Sequence, residues 1–242
     1  MSASVLRLVG APSGIVQVSG LPWLKGETRG IPVPALGSNV LCERHNNRAE
    51  ILDRTANRLF TSFAIDRLGV EWTKHRERHL STFTLCNGIQ IERWLLKVFL
   101  GGMAAKQLSE QSRPRGDLST EPNLENLLNF IWRGSRLPNQ CGLYSQFTDS
   151  VPASEQRTLQ IRYQFSPEGR LEIGEVNLGG IVRLVMILGI PENLPPVSKY
   201  RPAGYVLQSH IEGVTKCIAL AWPEKAGPFV RYIPSGANTR RT

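Results

Sequence analysis

From Cys141 onward the chain is a succession of short β-type runs with no helical pattern between them, and this restricts the fold more than any other feature. Candidate strands are 143–148, 159–165, 170–176, 180–188, 205–209, 214–222 and 229–233. They are bounded by Gly, Pro, Asn and Ser, the residues that break extended structure. Strands that follow one another without intervening helices predict an antiparallel sheet. Ser166-Pro167-Glu168-Gly169 reads as a hairpin turn. The stretch 190–202, with Pro191, Pro195, Pro196 and Pro202, reads as a long loop between two strands.

The first 140 residues have a different character. Leu52, Ala56, Leu59, Phe60 and Phe63 recur at helical spacing and predict a helix over about 43–68. A second helix over about 90–108 presents Ile91, Trp94, Leu95, Val98 and Met103. A third, over about 123–133, uses Leu124, Leu127, Leu128 and Ile131, and Gly134 and Pro138 end it. Between the first two lie a polar link, 71–79, and a short β-like piece, 81–86, followed by the turn signal Asn87-Gly88. At the N-terminus, 5–9 and 15–18 flank Ala11-Pro12-Ser13-Gly14 as a hairpin. Residues 20–37 read as an irregular arm, extended at Ile31-Pro32-Val33-Pro34 because proline disfavours helix in the residue before it.

The expected fold is therefore α+β: an N-terminal hairpin and arm (1–40), a three-helix segment (41–140) and a C-terminal antiparallel β-sheet (141–242). The helices are expected to cover one face of the sheet, making one compact unit. At 242 residues with 41% hydrophobic composition the chain can bury a substantial core. No apolar run is long enough to span a bilayer, and residues 1–20 lack the pattern of a signal peptide, so no membrane partner and a cytoplasmic location are expected. Cys42, Cys86, Cys141 and Cys217 form no CxxC pair and read as reduced thiols. The net charge of +9 fits an anionic partner such as nucleic acid, or simply a solvated basic surface, because the charge is dispersed along the chain.

One stretch concentrates metal-type ligands: Val40-Leu41-Cys42-Glu43-Arg44-His45-Asn46-Asn47, at the mouth of the first helix. Leu-Cys-x-x-His-Asn at a helix start resembles the second half of an HNH-type ββα-metal motif. In zinc-stabilised members of that family, an upstream CxxC completes a four-ligand knuckle, since zinc prefers four N or S ligands in a tetrahedron. The resemblance implies Cys42 and His45 as the second ligand pair of a zinc site. Yet no cysteine precedes Cys42 and no histidine precedes His45. The general-base histidine and the first half of the knuckle are both missing, so HNH catalysis is not expected from this polypeptide and no catalytic residue is assigned. The missing half has been lost, or is supplied by another chain or a longer translation product.

The wider chain is also similar to a group of bacterial proteins that pairs Leu-Cys-x-x-His-Asn…Leu-Asp with a later Gly-x-x-x-Glu-x-Trp-x-x-Lys. Here these are Leu41 to Asp53 and Gly88 to Lys97. The likeness continues through Pro138-Asn139-Gln140-Cys141-Gly142-Leu143-Tyr144 and Tyr200-Arg201-Pro202-Ala203-Gly204-Tyr205. It implies relatedness rather than an activity.

Arg44, Arg48, Arg54 and Arg58 on the first helix are the candidate phosphate contacts, or else they pair locally with Glu50 and Asp53. His75 and His79 lie four apart, but the Glu adjacent to the first His of a metalloprotease helix is absent, and a solvated basic loop is the favoured reading. Glu92 and Lys97 flank Trp94 on the second helix, where periodicity does not decide burial. Gly179-Gly180 lacks a phosphate-loop context, and the tryptophans sit singly in apolar patterns that suggest core rather than base stacking. The leading expectation is a nucleic-acid-binding protein with a catalytically inactive HNH-like element. The alternatives are a protein–protein interaction module, such as an accessory subunit or inhibitor, and a metal-dependent nuclease completed from elsewhere.

Overall fold

The computed structural model describes residues 14–20, 24–32, 43–64, 80–104, 124–138, 140–147, 159–167, 170–178, 182–189, 199–208, 214–224 and 226–232. In chain order its strands are β1 (Ile15–Ser19), β2 (Arg29–Pro32), β3 (Leu80–Asn87), β4 (Gly142–Phe147), β5 (Leu159–Phe165) and β6 (Leu171–Leu178). They continue as β7 (Val182–Ile187), β8 (Lys199–Tyr200), β9 (Pro202–Gln208), β10 (Val214–Ala221) and β11 (Gly227–Tyr232). The helices are α1 (Glu43–Ala64), α2 (Gly88–Ala104) and α3 (Leu124–Arg133). The α+β class and the three helices are as the sequence predicts.

The strands form two sheets, ordered β2-β1-β5-β6-β7-β4-β8 and β11-β9-β10-β3. The run β5-β6-β7-β4 is antiparallel throughout, which matches the expectation for strands joined without helices. Three other pairs are parallel, however: β1 with β5, β3 with β10, and β9 with β11. A single antiparallel sheet is thus corrected to two mixed sheets. The physical reason is that β1 and β3, far away in sequence, pair with strands of the C-terminal half, and such long connections leave direction free, while β11 follows β10 but pairs with the far side of β9. The N-terminal hairpin is also redrawn. The β1 strand pairs antiparallel with β2, taken from the expected arm, and the 5–9 run lies outside the described residues.

Helix α2 is the centre of the molecule. Ile91, Trp94, Leu95, Leu96, Val98, Phe99, Leu100 and Met103 are all buried, so the apolar surface runs almost all round, as in helices enclosed by their own protein. It packs on α1 and α3 and on strands of both sheets, so the helices do not lie on one face of one sheet. The approach is close at β6: a Cβ on Gly174 would lie 2.4 Å from the Phe99 ring, and only glycine accommodates the helix there. The core around α2 is continuous between the sheets, with Val16, Ile161, Val176 and Leu184 from one and Tyr205, Ile218 and Leu220 from the other.

Local signals explain the ends of α2 and α1. The turn signal Asn87-Gly88 is the β3–α2 junction. The Asn87 Oδ1 accepts a hydrogen bond from the Gln90 N–H at 3.1 Å, which caps the helix. At the end of α1, buried Lys216 on β10 donates from Nζ to the Ser62 carbonyl at 2.8 Å. A cation there satisfies a terminal carbonyl and opposes the negative end of the helix dipole.

Candidate nucleic-acid interface and the buried ionic cluster

The α1 helix divides cleanly into two sides. Ala49, Leu52, Ala56, Leu59, Phe60 and Phe63 form the buried side against the core. His45 sits on the same side, half-buried, with its ring centroid 5.2 Å from that of Trp132 on α3. Cys42, its expected zinc partner, lies outside the described residues, as do His75 and His79. Among the described residues no three His, Cys, Asp or Glu side chains cluster in a way that could hold a metal.

Arg48, Arg54 and Arg58 are exposed on the opposite side of α1, and the helical repeat places them within roughly a third of its circumference. Ile51, 52% exposed, lies among them. The Arg44 side chain is outside the described set. Of the two acidic residues expected to neutralise this face, Glu50 does so in part, 3.4 Å from Arg54 in a solvent-exposed pair. Exposed pairs of that kind contribute little, about 0.3–0.5 kcal/mol for this helical spacing.

Asp53 does not join them. It turns to α2, where Oδ2 accepts from Lys97 Nζ at 2.8 Å and Oδ1 from Trp94 Nε1 at 3.0 Å. The Lys97 and Asp53 side chains are only 11% and 18% exposed, so this pair is shielded from solvent. Beside it, Thr55 Oγ1 donates to Gln90 Oε1 at 2.5 Å, completing a polar seam between α1 and α2. The expectation that Asp53 pairs with the arginines is corrected. An indole N–H buried by helix packing needs an acceptor, and Asp53 supplies it.

A second polar constellation lies deeper. Glu92 on α2 is fully buried and takes three hydrogen bonds: from Leu143 N–H at 2.8 Å, Arg201 Nε at 2.9 Å and an Arg201 terminal nitrogen at 3.1 Å. Burial pushes the Glu92 carboxyl up, and the Arg201 guanidinium and the Leu143 N–H act against that. Arg201 lies over the Tyr200 and Trp222 rings at 5.3 and 5.4 Å. Beyond it Glu224 is 3.6 Å away, and Glu224 in turn pairs with Arg136 at 2.9 Å, so the cluster runs from the core to the surface. Arg201 has a left-handed backbone (φ 39°), with its N–H on the Leu143 carbonyl and its own carbonyl accepting from Gly227 N–H. It thereby ties β4, β9 and β11 together.

Residues of sequence segments far apart along the chain thus meet in space. Asp53 meets Trp94 and Lys97, Glu92 meets Arg201 and Leu143, and the Tyr144 and Tyr200 rings are 5.0 Å apart. These contacts join the helices to the sheets. Both Glu92 oxygens are occupied by the guanidinium, so the carboxylate serves as a clamp rather than as an accessible base. Sequence reasoning missed Arg201, whose position inside a proline-rich loop gave no sign of burial. The chain matches no protein-family model, no curated protein and no solved structure.

Proposed function

We propose that this protein binds nucleic acid through the solvent face of α1, with Arg48, Arg54 and Arg58, joined by Arg44, contacting phosphates, and that its HNH-like element is catalytically inactive. One observation carries the reading: Asp53 is withdrawn to Lys97 and Trp94, so that among the described residues Glu50 is the acidic side chain paired with an arginine of this face. Three exposed guanidiniums on a chain of net charge +9 attract a polyanion and release its counterions on binding. Ile51 in their midst offers an apolar contact to sugar or base once water is displaced.

Binding of the 242-residue chain to labelled duplex and single-stranded DNA, measured across a salt series, tests this. Affinity is expected to fall steeply with salt, and Arg48→Gln/Arg54→Gln/Arg58→Gln is expected to flatten the log–log slope by about 2–3. These side chains are exposed, so the variant retains the wild-type circular dichroism spectrum. An unchanged slope in a folded triple variant, or no wild-type binding at low salt, would overturn the reading.

A further inference from the structure

Among the described residues the two sheets have four edge strands, β2, β8, β11 and β3, and these differ in length, charge and proline content. An edge exposes unpaired backbone N–H and C=O groups, and proteins blunt such edges with proline, charge, shortness or a covering element. The β2 strand is four residues long and contains Arg29 and Pro32. The β8 strand is two residues long and includes Lys199. The β11 strand contains Pro228 and Arg231, and its Gly227 N–H is already bonded to the Arg201 carbonyl next to β8. The β3 strand, Leu80-Ser81-Thr82-Phe83-Thr84-Leu85-Cys86-Asn87, is by contrast eight residues long and contains neither charge nor proline. Among the described residues β3 pairs with β10 alone.

The side chains on β3 sharpen the contrast. Cys86 faces the core, and Thr84 bonds Ser62 of α1 on that inner side. On the outer side Phe83 is 67% and Leu85 49% exposed, flanked by exposed Ser81 and Asn87. The apolar patch continues across the outer face through Cys217 and Ala219 on β10, the register partners of Phe83 and Leu85. A strand whose outer backbone edge is unpaired among the described residues, with exposed apolar side chains on its open face, is complementary to another strand, rather than to a helix or a small molecule.

We infer that β3 is a self-association edge, along which a second copy of this chain adds its own β3 antiparallel about a two-fold axis, making an eight-stranded sheet. Two features single out a second copy. In an antiparallel pair centred on Thr84, Phe83 falls opposite the partner's Leu85 and Ser81 opposite the partner's Asn87. Apolar then meets apolar and polar meets polar on the same face, as an isologous contact demands. Charge makes the same choice. On a chain of net charge +9, the other three edges each carry a lysine or an arginine, so pairing like edges there would oppose like charges. The uncharged β3 avoids that repulsion. The inference is independent of nucleic-acid binding and concerns a different element.

Sedimentation equilibrium of the full chain at micromolar to about 100 µM is expected to show a monomer–dimer equilibrium. Phe83→Lys/Leu85→Lys is expected to abolish the dimer, with circular dichroism unchanged because both side chains are already exposed. Should that variant misfold, hydrogen exchange of the wild type keeps the question open to test. The β3 amides that do not face β10 should become protected as concentration rises, while those of β2 should not. A wild-type monomer throughout the range overturns the inference. So does a dimer that survives in the folded variant, or one whose formation leaves β3 exchange unchanged.

Discussion

Arg201 grips Glu92 through two nitrogens at 2.9 and 3.1 Å, across 109 positions of sequence, with the carboxylate fully buried and the Arg201 side chain 9% exposed. Removing one member of such a pair strands the other charge in the core. Arg201→Met or Glu92→Leu alone is expected to cost about 3–5 kcal/mol, whereas the double variant should cost markedly less than the sum. Urea denaturation read by tryptophan fluorescence checks this. Additive losses would mean that the two side chains act independently.

The Asp53 seam is expected to be important for stability rather than for charge at the surface. Asp53→Ala leaves the Trp94 N–H and the Lys97 ammonium without their acceptor, and a loss of about 1–3 kcal/mol follows. Asp53→Asn retains an amide oxygen for Trp94 and should recover part of it. The comparison needs only the two midpoints of chemical unfolding.

Burial pushes the Cys86 thiol up to about 11, with the nearby Arg58 charge opposing the rise. A raised pKa means that the folded state holds its proton where the unfolded thiol has lost it. The corresponding stability is present below pH 9, the ordinary value, and is lost as pH rises through about 11. Unfolding free energies between pH 8 and 11 should therefore fall less steeply for Cys86→Ala than for the wild type, although its stability at pH 8 is lower. Native Cys86 should also resist thiol reagents at pH 8, because its thiolate is scarce and its side chain 3% exposed.

Much of the scaffold was legible residue by residue. The periodicity of Leu52, Ala56, Leu59, Phe60 and Phe63 identified α1 and its buried side, and Gly134, at φ 80°, ended α3 as expected. The meander β5-β6-β7 followed from short apolar runs separated by breakers. Asn87-Gly88 marked the end of β3, and the structure adds that Asn87 caps α2 there. The β8 strand, two residues in a proline-rich stretch, is too short to show any alternation.

The candidate site was legible only as a composition. The sequence by itself determined that α1 is amphipathic and carries four arginines, because a 3.6-residue repeat converts spacing directly into faces. It could not apportion Asp53, which lies close to both sides of the helix. Only the packing of α2 against α1 drew that carboxylate to Trp94 and Lys97 and left the arginines with Glu50. The same limit applies to Glu92 with Arg201 and to β3 with β10. Their partners are more than 100 positions away, and local spacing contains no information about which distant segment closes a contact or in which direction a strand pairs.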